Sequence, residues 1–158
     1  MEMKDDSERF RHSIALESLE DTAHLGALIA RALKKGNTLA LRGDLGAGKT
    51  ALARSILQAL GVTGPIASPT FTLVQAYETA RLPIRHFDLY RIEDPSELEE
   101  LGLDEALSEG AALIEWPDRA EMPEDAINLT LTITGAQSRQ AEIDAPAAWA
   151  AIFAGKDF

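Results

Sequence analysis

The sequence predicts an α/β sandwich with a mostly parallel central sheet, antiparallel additions and helices on both faces. Strand-like apolar runs alternate along the chain with amphipathic helical segments, which is the arrangement that produces a parallel sheet covered by helices. A glycine-rich loop, GDLGAGKT at residues 43–50, joins one such strand to one such helix. The length of 158 residues favours a single domain, residues 1–158, with a sizeable core.

The first part of the chain predicts a strand, a helix and a second strand. Residues 12–16 have the pattern of a strand, and residues 20–22 are expected to cap a helix that runs to about Leu33. The basic residues and glycine at 34–36 suit a helix C-terminus. Residues 38–42 then predict a short buried strand that leads into the glycine-rich loop.

The loop itself matches G-x-x-x-x-G-K-[ST], the phosphate-binding P-loop of ATP- and GTP-using proteins. Its glycines allow backbone N–H groups to surround phosphate oxygens, Lys49 can reach the β- and γ-phosphates, and Thr50 can ligate Mg²⁺. A turn that binds nothing is the alternative, but the strand before the loop and the helix predicted at residues 50–60 favour a P-loop NTPase sandwich. The expected nucleotide-binding residues of the loop are Asp44, Leu45, Gly46, Ala47, Gly48, Lys49 and Thr50.

The middle of the chain predicts two strands, two short helices and a central strand. Residues 71–77 and 84–89 have strand patterns. An acidic helix is expected from Asp94, as its N-cap, to about residue 102, and a second helix from residue 104 to just before Gly110. The short apolar run at 111–114 is typical of a buried central strand.

The C-terminal part predicts a β-hairpin followed by a helix. Alternating residues at 127–134 and a strand at 139–143 flank the turn-forming residues 135–138. This hairpin would add antiparallel strands at one end of the sheet. An alanine-rich helix is expected at 147–154.

Two acidic residues stand where strands end, and either could complete a nucleotide site. Asp88 and Glu115 each follow an apolar run, the form of a Walker B carboxylate, and this edge of an open α/β sheet lines the ligand crevice. A strand-end carboxylate without a role fits the pattern equally well. His86 is expected to be a packed strand residue rather than a base or donor. Trp116 is either a core residue or a ring that faces the base or a partner.

Charge and composition restrict the classes of function. A net charge of −11 argues against autonomous DNA or RNA binding, which depends on Lys and Arg. The acidic excess is a solvated surface or a docking face for a basic partner. There are no cysteines, and neither an apolar signal core nor a membrane-spanning run is present, so we expect a soluble cytoplasmic protein without disulfides. The chain lacks the Asn-Lys-x-Asp element of GTPases, which favours ATP.

Four segments in register, residues 43–50, 68–74, 86–91 and 114–117, resemble the TsaE (YjeE) family. The resemblance runs from about residue 16 to 131 and implies a bacterial ATPase for the threonylcarbamoyl modification of adenosine 37 in tRNAs that read ANN codons. The family works with TsaB and TsaD, and the transfer chemistry belongs to TsaD. Contact with tRNA would thus be indirect, and the ATPase would be weak alone and stimulated by these partners.

The resemblance also implies roles for individual residues. Thr50 and Glu115 would hold Mg²⁺, with Asp88 in the Walker B role. Ser68 and Thr70 would form a switch-like loop that senses the terminal phosphate. Two further residues would lie beside ATP: Trp116 near the nucleotide and Thr22 near the adenine. The residues with expected catalytic roles are Lys49, Asp88, Glu115 and Thr70.

Two other functions fit a P-loop. A small-metabolite kinase would need an arginine-rich lid, but the midchain arginines, Arg81, Arg85 and Arg91, lie on or beside predicted strands. A nucleotide-binding scaffold without hydrolysis is the second alternative, and Lys49 with its two candidate acids disfavours it.

Overall fold

The computed structural model describes residues 9–66 and 73–153. Within them one sheet has seven strands: β1 (Arg9–Leu16), β2 (Thr38–Arg42), β3 (Val74–Tyr77), β4 (Ile84–Asp88), β5 (Ala111–Glu115), β6 (Ile127–Ile133) and β7 (Arg139–Pro146). The α-helices of these ranges are α1 (Leu19–Ala32), α2 (Lys49–Ala59), α3 (Glu97–Glu100), α4 (Leu103–Glu109) and α5 (Ala150–Phe153). None of the helices in this part of the chain is long and apolar enough to cross a membrane.

The spatial order of the strands is β1-β7-β6-β2-β5-β4-β3. The four inner strands β6, β2, β5 and β4 run parallel, whereas β1, β7 and β3 join by antiparallel pairing. Because β2 lies between β5 and β6, the loop that follows β2 emerges at the middle of the carboxyl edge of the sheet. The predicted fold class is confirmed, including the C-terminal hairpin, and a second antiparallel addition, β3, lies at the opposite edge.

Two hydrophobic clusters cover the two faces of the sheet. On one face α1 and α2 pack over the strands through residues such as Ile29, Ile56 and Leu129. On the other face α3 and α4 cover β4 and β5 around Phe87 and Ile114. The helix that follows the P-loop is therefore anchored on a buried sheet face, which fixes the position of its N-terminus.

The first helix begins earlier than the sequence pattern predicts. Its N-cap is Ser18, whose hydroxyl accepts a hydrogen bond from the Asp21 N–H at 3.4 Å, while the Asp21 carboxylate accepts the Glu17 N–H at 2.8 Å. The prediction that residues 20–22 form the cap is therefore wrong. The Ser18 bond is the first half of a capping box, but the Asp21 carboxylate bonds the residue before the N-cap rather than the N-cap N–H.

Other element ends also differ from prediction. Asp94 accepts the Ser96 N–H at 3.0 Å in a turn, so that α3 begins only at Glu97 rather than at Asp94. The expected helix at 147–154 is a 3₁₀ turn at Ala147–Trp149 followed by α5. The strand predicted at 71–77 is β3 from Val74 onward, and residues 71 and 72 lie outside the described ranges.

Candidate nucleotide site

The loop between β2 and α2 takes a backbone path that depends on glycine. Gly43, Gly46 and Gly48 have φ angles of 147°, 84° and 106°. A Cβ atom on Gly43 would lie 2.7 Å from the backbone oxygen of Leu131 in β6, a distance that excludes any side chain. Gly48 is the left-handed N-cap of α2, so the loop presents its backbone at the positive end of an 11-residue helix.

Lys49 begins α2 and folds its side chain back over the loop. Its Nζ donates to the backbone oxygens of Gly43 and, at 3.2 Å, Asp44. Burial lowers the pKa of the Lys49 ammonium below the ordinary lysine value, and the nearby carboxylates, Glu115 foremost, oppose that shift. A buried cation in this setting is suited to an incoming anion such as phosphate.

Two carboxylates meet the start of α2 at the ends of neighbouring strands. Asp88 and Glu115 are paired residues of β4 and β5, and both are buried. The Thr50 hydroxyl oxygen lies 3.4 Å from each carboxylate oxygen of Glu115. The Asp88 Oδ1 accepts the Tyr90 N–H at 3.0 Å. A hydroxyl and two carboxylates thus converge, and oxygen ligands of this kind suit Mg²⁺.

His86 of β4 forms a buried hydrogen bond with the Glu115 carboxylate. Its Nε2 is 2.7 Å from Oε2 of Glu115, and the two side chains are almost fully buried. Since a carboxylate accepts, the ring donates through Nε2–H. The sequence favoured a packed strand residue; the ring is packed, and it also orients a candidate metal ligand. The spacing of two residues between His86 and Asp88, which puts both on one face of β4, is the signal that could have revealed this.

Two aromatic rings, those of Tyr90 and Trp116, lie beside Lys49 at the end of β5. Nζ of Lys49 lies 4.2 Å from the centroid of a Trp116 ring, a cation–π distance. The Tyr90 and Trp116 rings are 4.9 Å apart, and the Arg119 guanidinium covers Tyr90 at 5.3 Å. Trp116 adopts φ 61°, an uncommon conformation for a large residue, which turns the chain sharply as it leaves β5.

Two adjoining clefts of about 460 Å³ each share residues of the loop and α2. The first is lined by residues on which the sequence prediction focuses: Leu45, Gly46, Gly48, Lys49, Thr50, Asp88, Glu115 and Trp116. The second shares Gly48 with it and contains Thr22 from α1. Of the predicted site residues, Ser68 and Thr70 lie outside the described residues.

Another cavity, of about 530 Å³, lies away from the loop, on the polar face of the sheet beside β1. Three of its charged groups, Arg11, Arg42 and Asp144, already form ion pairs. Arg11 is 3.4 Å from Asp144, and Arg42 is 3.3 Å from Asp118. It lacks the glycine-rich backbone and the helix N-terminus, so the clefts at the loop remain the better ligand site.

Arg139, at the start of β7, was missed by the sequence analysis. Its guanidinium reaches across from the hairpin and donates to backbone oxygens of the P-loop. The contact joins residues about 92 positions apart in the chain, and no local pattern signals it.

Comparison with known proteins identifies the family. The model of the family described as "Threonylcarbamoyl adenosine biosynthesis protein TsaE" matches residues 16–141. The chain belongs to the TsaE family. This membership gives it a role in the biosynthesis of threonylcarbamoyladenosine in tRNA, and the P-loop fold of TsaE suggests nucleotide binding and at most a nucleotide-hydrolysing role.

Relatives support the assignment over most of the chain. The TsaE of Nostoc sp. strain PCC 7120 is 43 % identical over 136 residues, which cover 82 % of this chain and 83 % of the relative. The TsaE of Bacillus subtilis strain 168 is 39 % identical over 124 residues and 77 % of each chain. The crystal structure of YdiB from Bacillus subtilis superposes with a TM-score of 0.74, at 29 % identity over 87 % of each chain.

Proposed function

We propose that this TsaE protein is a Mg²⁺-dependent ATP hydrolase that serves tRNA modification without itself transferring the threonylcarbamoyl group. The observation that carries the proposal is the convergence of Lys49, Thr50, Asp88 and Glu115 at the carboxyl edge of the sheet. A buried cation, a hydroxyl and two carboxylates around a glycine-rich loop suit a phosphate chain with its metal ion.

The phosphate chain would lie over the loop and the first turn of α2. Backbone N–H groups of residues 46 and 48–50 would donate to its oxygens, and Lys49 would exchange its bonds with Gly43 and Asp44 for the phosphates. The loss of those two backbone bonds is offset by a charge–charge interaction in a cleft of low polarity.

Mg²⁺ would be held by Thr50, Glu115 and Asp88 together with the phosphates and water. Among the described residues, no group of three or more His, Cys, Asp or Glu side chains could hold a metal ion alone. This fits Mg²⁺, which keeps several waters and takes few protein ligands when phosphates are present. When bound, the ion neutralises charge on the phosphate oxygens.

Adenosine would occupy the second cleft, beside Thr22 of α1. That cleft adjoins the phosphate cleft through Gly48 and Ala51, so one nucleotide can span both. The missing Asn-Lys-x-Asp element favours adenine over guanine. Trp116 would border the phosphates, and Ser68 with Thr70 would form the loop that senses the terminal phosphate, with Thr70 catalytic.

TsaB and TsaD are the proposed protein partners, in the cytoplasm. Docking on a protein complex explains how a chain of net charge −11 can serve tRNA modification without gripping tRNA directly. Hydrolysis by the free protein would be slow, and the partners would stimulate it.

Phosphate release from ATP tests the proposal, first with the protein alone and then with purified TsaB and TsaD. We expect slow Mg²⁺-dependent release that the partners accelerate, and no release by Lys49→Ala under either condition. Phosphorylation of an added sugar or nucleoside would instead identify a kinase. Nucleotide binding without hydrolysis under all conditions would identify a scaffold.

A further inference from the structure

The guanidinium of Arg139 forms four hydrogen bonds that tie the β6–β7 hairpin to the P-loop. Its Nε donates to the Ala47 oxygen at 3.0 Å and its Nη2 to the Gly46 oxygen at 3.1 Å. Its Nη1 donates to the oxygens of Gly135 and Ser138 at 3.1 and 2.8 Å. The edge of the guanidinium with Nε and Nη2 therefore bonds the P-loop, and Nη1 bonds the hairpin turn.

These bonds fix the direction of two peptide groups in the loop. In a planar trans peptide the C=O and the following N–H point in opposite directions. The Gly46–Ala47 peptide is held at both ends, since the Ala47 N–H donates to the Asp44 oxygen at 3.0 Å. The Ala47 oxygen faces Arg139, so the N–H of Gly48 must point away from the guanidinium.

The hairpin is a firm support for this contact. Residues of β6 pair with β2, the strand that leads into the loop, and Leu131 of β6 lies against Gly43. Arginine suits the task because its rigid fork can serve two adjacent carbonyls while it also bonds the turn. A lysine ammonium offers a point charge without that planar geometry.

We propose that Arg139 is a positioning residue for phosphate binding: it orients the P-loop peptides so that the Gly48 N–H is directed at the phosphates. This inference rests on the proposed nucleotide-binding function. It assigns a function to the hairpin, which the sequence motifs leave without one.

Equilibrium binding of ADP and competition by adenosine test the proposal in four proteins: wild type, Arg139→Ala, Arg139→Lys and Arg11→Ala. Arg11 is the matched control because it lies on β1, 73 % exposed and away from the loop. We expect Arg139→Ala to weaken ADP binding about tenfold or more, because two bonds from a charged donor are lost. Arg139→Lys should recover little of that affinity, and Arg11→Ala should bind ADP as the wild type does.

A second readout separates positioning from general support of the fold. Because Arg139, Ala47 and Gly48 also line the second cleft, adenosine affinity can fall in both Arg139 variants. That loss should be at least fivefold smaller than the loss for ADP, since only ADP has phosphates that accept the Gly48 N–H, a difference of about 1 kcal/mol. The amide cross-peaks of Ala47 and Gly48 in ¹H–¹⁵N spectra should move. Unchanged ADP affinity in Arg139→Ala, or an equal loss for adenosine, would overturn the inference. Absence of ATP and ADP binding by the wild type would refute the proposed function instead.

Discussion

Three of the charged side chains that line the phosphate cleft are almost fully buried. Lys49, Asp88 and Glu115 are 5 %, 6 % and 3 % exposed. Charges removed from water are costly unless they are paired or hydrogen-bonded, and their mutual attraction offsets only part of that cost. The ligand that we propose, a phosphate chain with a metal ion, would bring charges of both signs to these buried groups.

Lys49→Met tests the electrostatic strain at this residue. Because burial lowers the pKa of Lys49, the folded state binds fewer protons than the unfolded state in the range just below the ordinary value of 10.5. The free energy of unfolding of the wild type should therefore increase as the pH rises through that range. The free energy of unfolding of Lys49→Met should not show this increase. Urea unfolding across pH 8–10.5 measures it, with exposed Lys35→Met as the control. Parallel profiles for wild type and Lys49→Met would contradict the argument.

Glu115→Ala should separate binding from hydrolysis. Lys49 and the loop still hold the phosphates, so nucleotide binding is largely kept. Mg²⁺-dependent hydrolysis should fall by about 100-fold or more, because a preorganised charge at the metal is lost. Phosphate release at saturating ATP measures this, with exposed Glu121→Ala as the control. Unchanged turnover would remove Glu115 from the site.

His86 should act on the metal through Glu115. His86→Leu deletes the donor to Oε2 and should therefore lower the affinity for Mg²⁺. We expect the Mg²⁺ concentration that half-saturates ATP hydrolysis to rise by about 10- to 100-fold. His86→Gln retains a donor and should restore part of that affinity. A Mg²⁺ titration at fixed ATP measures both. Equal effects of the two variants would mean that His86 serves only packing.

At the scale of elements, the site depends on how closely the two helices of one face approach. Gly26 of α1 faces Ser55 and Ile56 of α2, where an added Cβ would lie 2.6 Å from the Ser55 Cβ and 3.1 Å from the Ile56 nitrogen. The glycine therefore sets the distance between the helix that carries Thr22 and the helix that carries the P-loop lysine.

Gly26→Ala should destabilise the protein although alanine favours helices. Overpacking costs about 1–3 kcal/mol, and the gain in helix propensity is at most about 1 kcal/mol, so we expect a net loss. Urea unfolding measures it. Ala23→Ser, on the exposed side of α1, should change stability by no more than about 0.5 kcal/mol. A more stable Gly26→Ala protein would show that α1 can shift freely.

Some elements of the fold could be predicted from the sequence, and others could not. The strand–loop–helix at the P-loop and the strand-end acids Asp88 and Glu115 could be predicted because their signals are local in sequence. The cap at Ser18 was missed because Asp21, within the first turn, also forms a capping bond. The bonds of Arg139 could not be predicted, because they depend on which strand lies beside β2, and that is decided by packing over the whole chain.

At the scale of the whole molecule, ligand binding should report on stability. A ligand that binds only the folded state stabilises it by about 2.7 kcal/mol at 100 times its dissociation constant. Mg²⁺ with ATP should therefore raise the melting temperature of the wild type by several degrees. Lys49→Ala should show no such rise. A thermal unfolding scan measures both, and equal shifts in the two proteins would indicate binding away from the P-loop.

The position of β7 between β1 and β6 links the order of synthesis to the order of assembly. The N-terminal strand pairs with a strand that begins at Arg139, and the Phe10 and Phe153 rings stack with centroids 6.2 Å apart. A chain made from its N-terminus leaves β1 without this partner until β7 has left the ribosome. Such long-range pairing slows folding. The loop also receives its support from Arg139 only at that stage, so a nascent chain would acquire the nucleotide affinity that we propose only after β7 has been made.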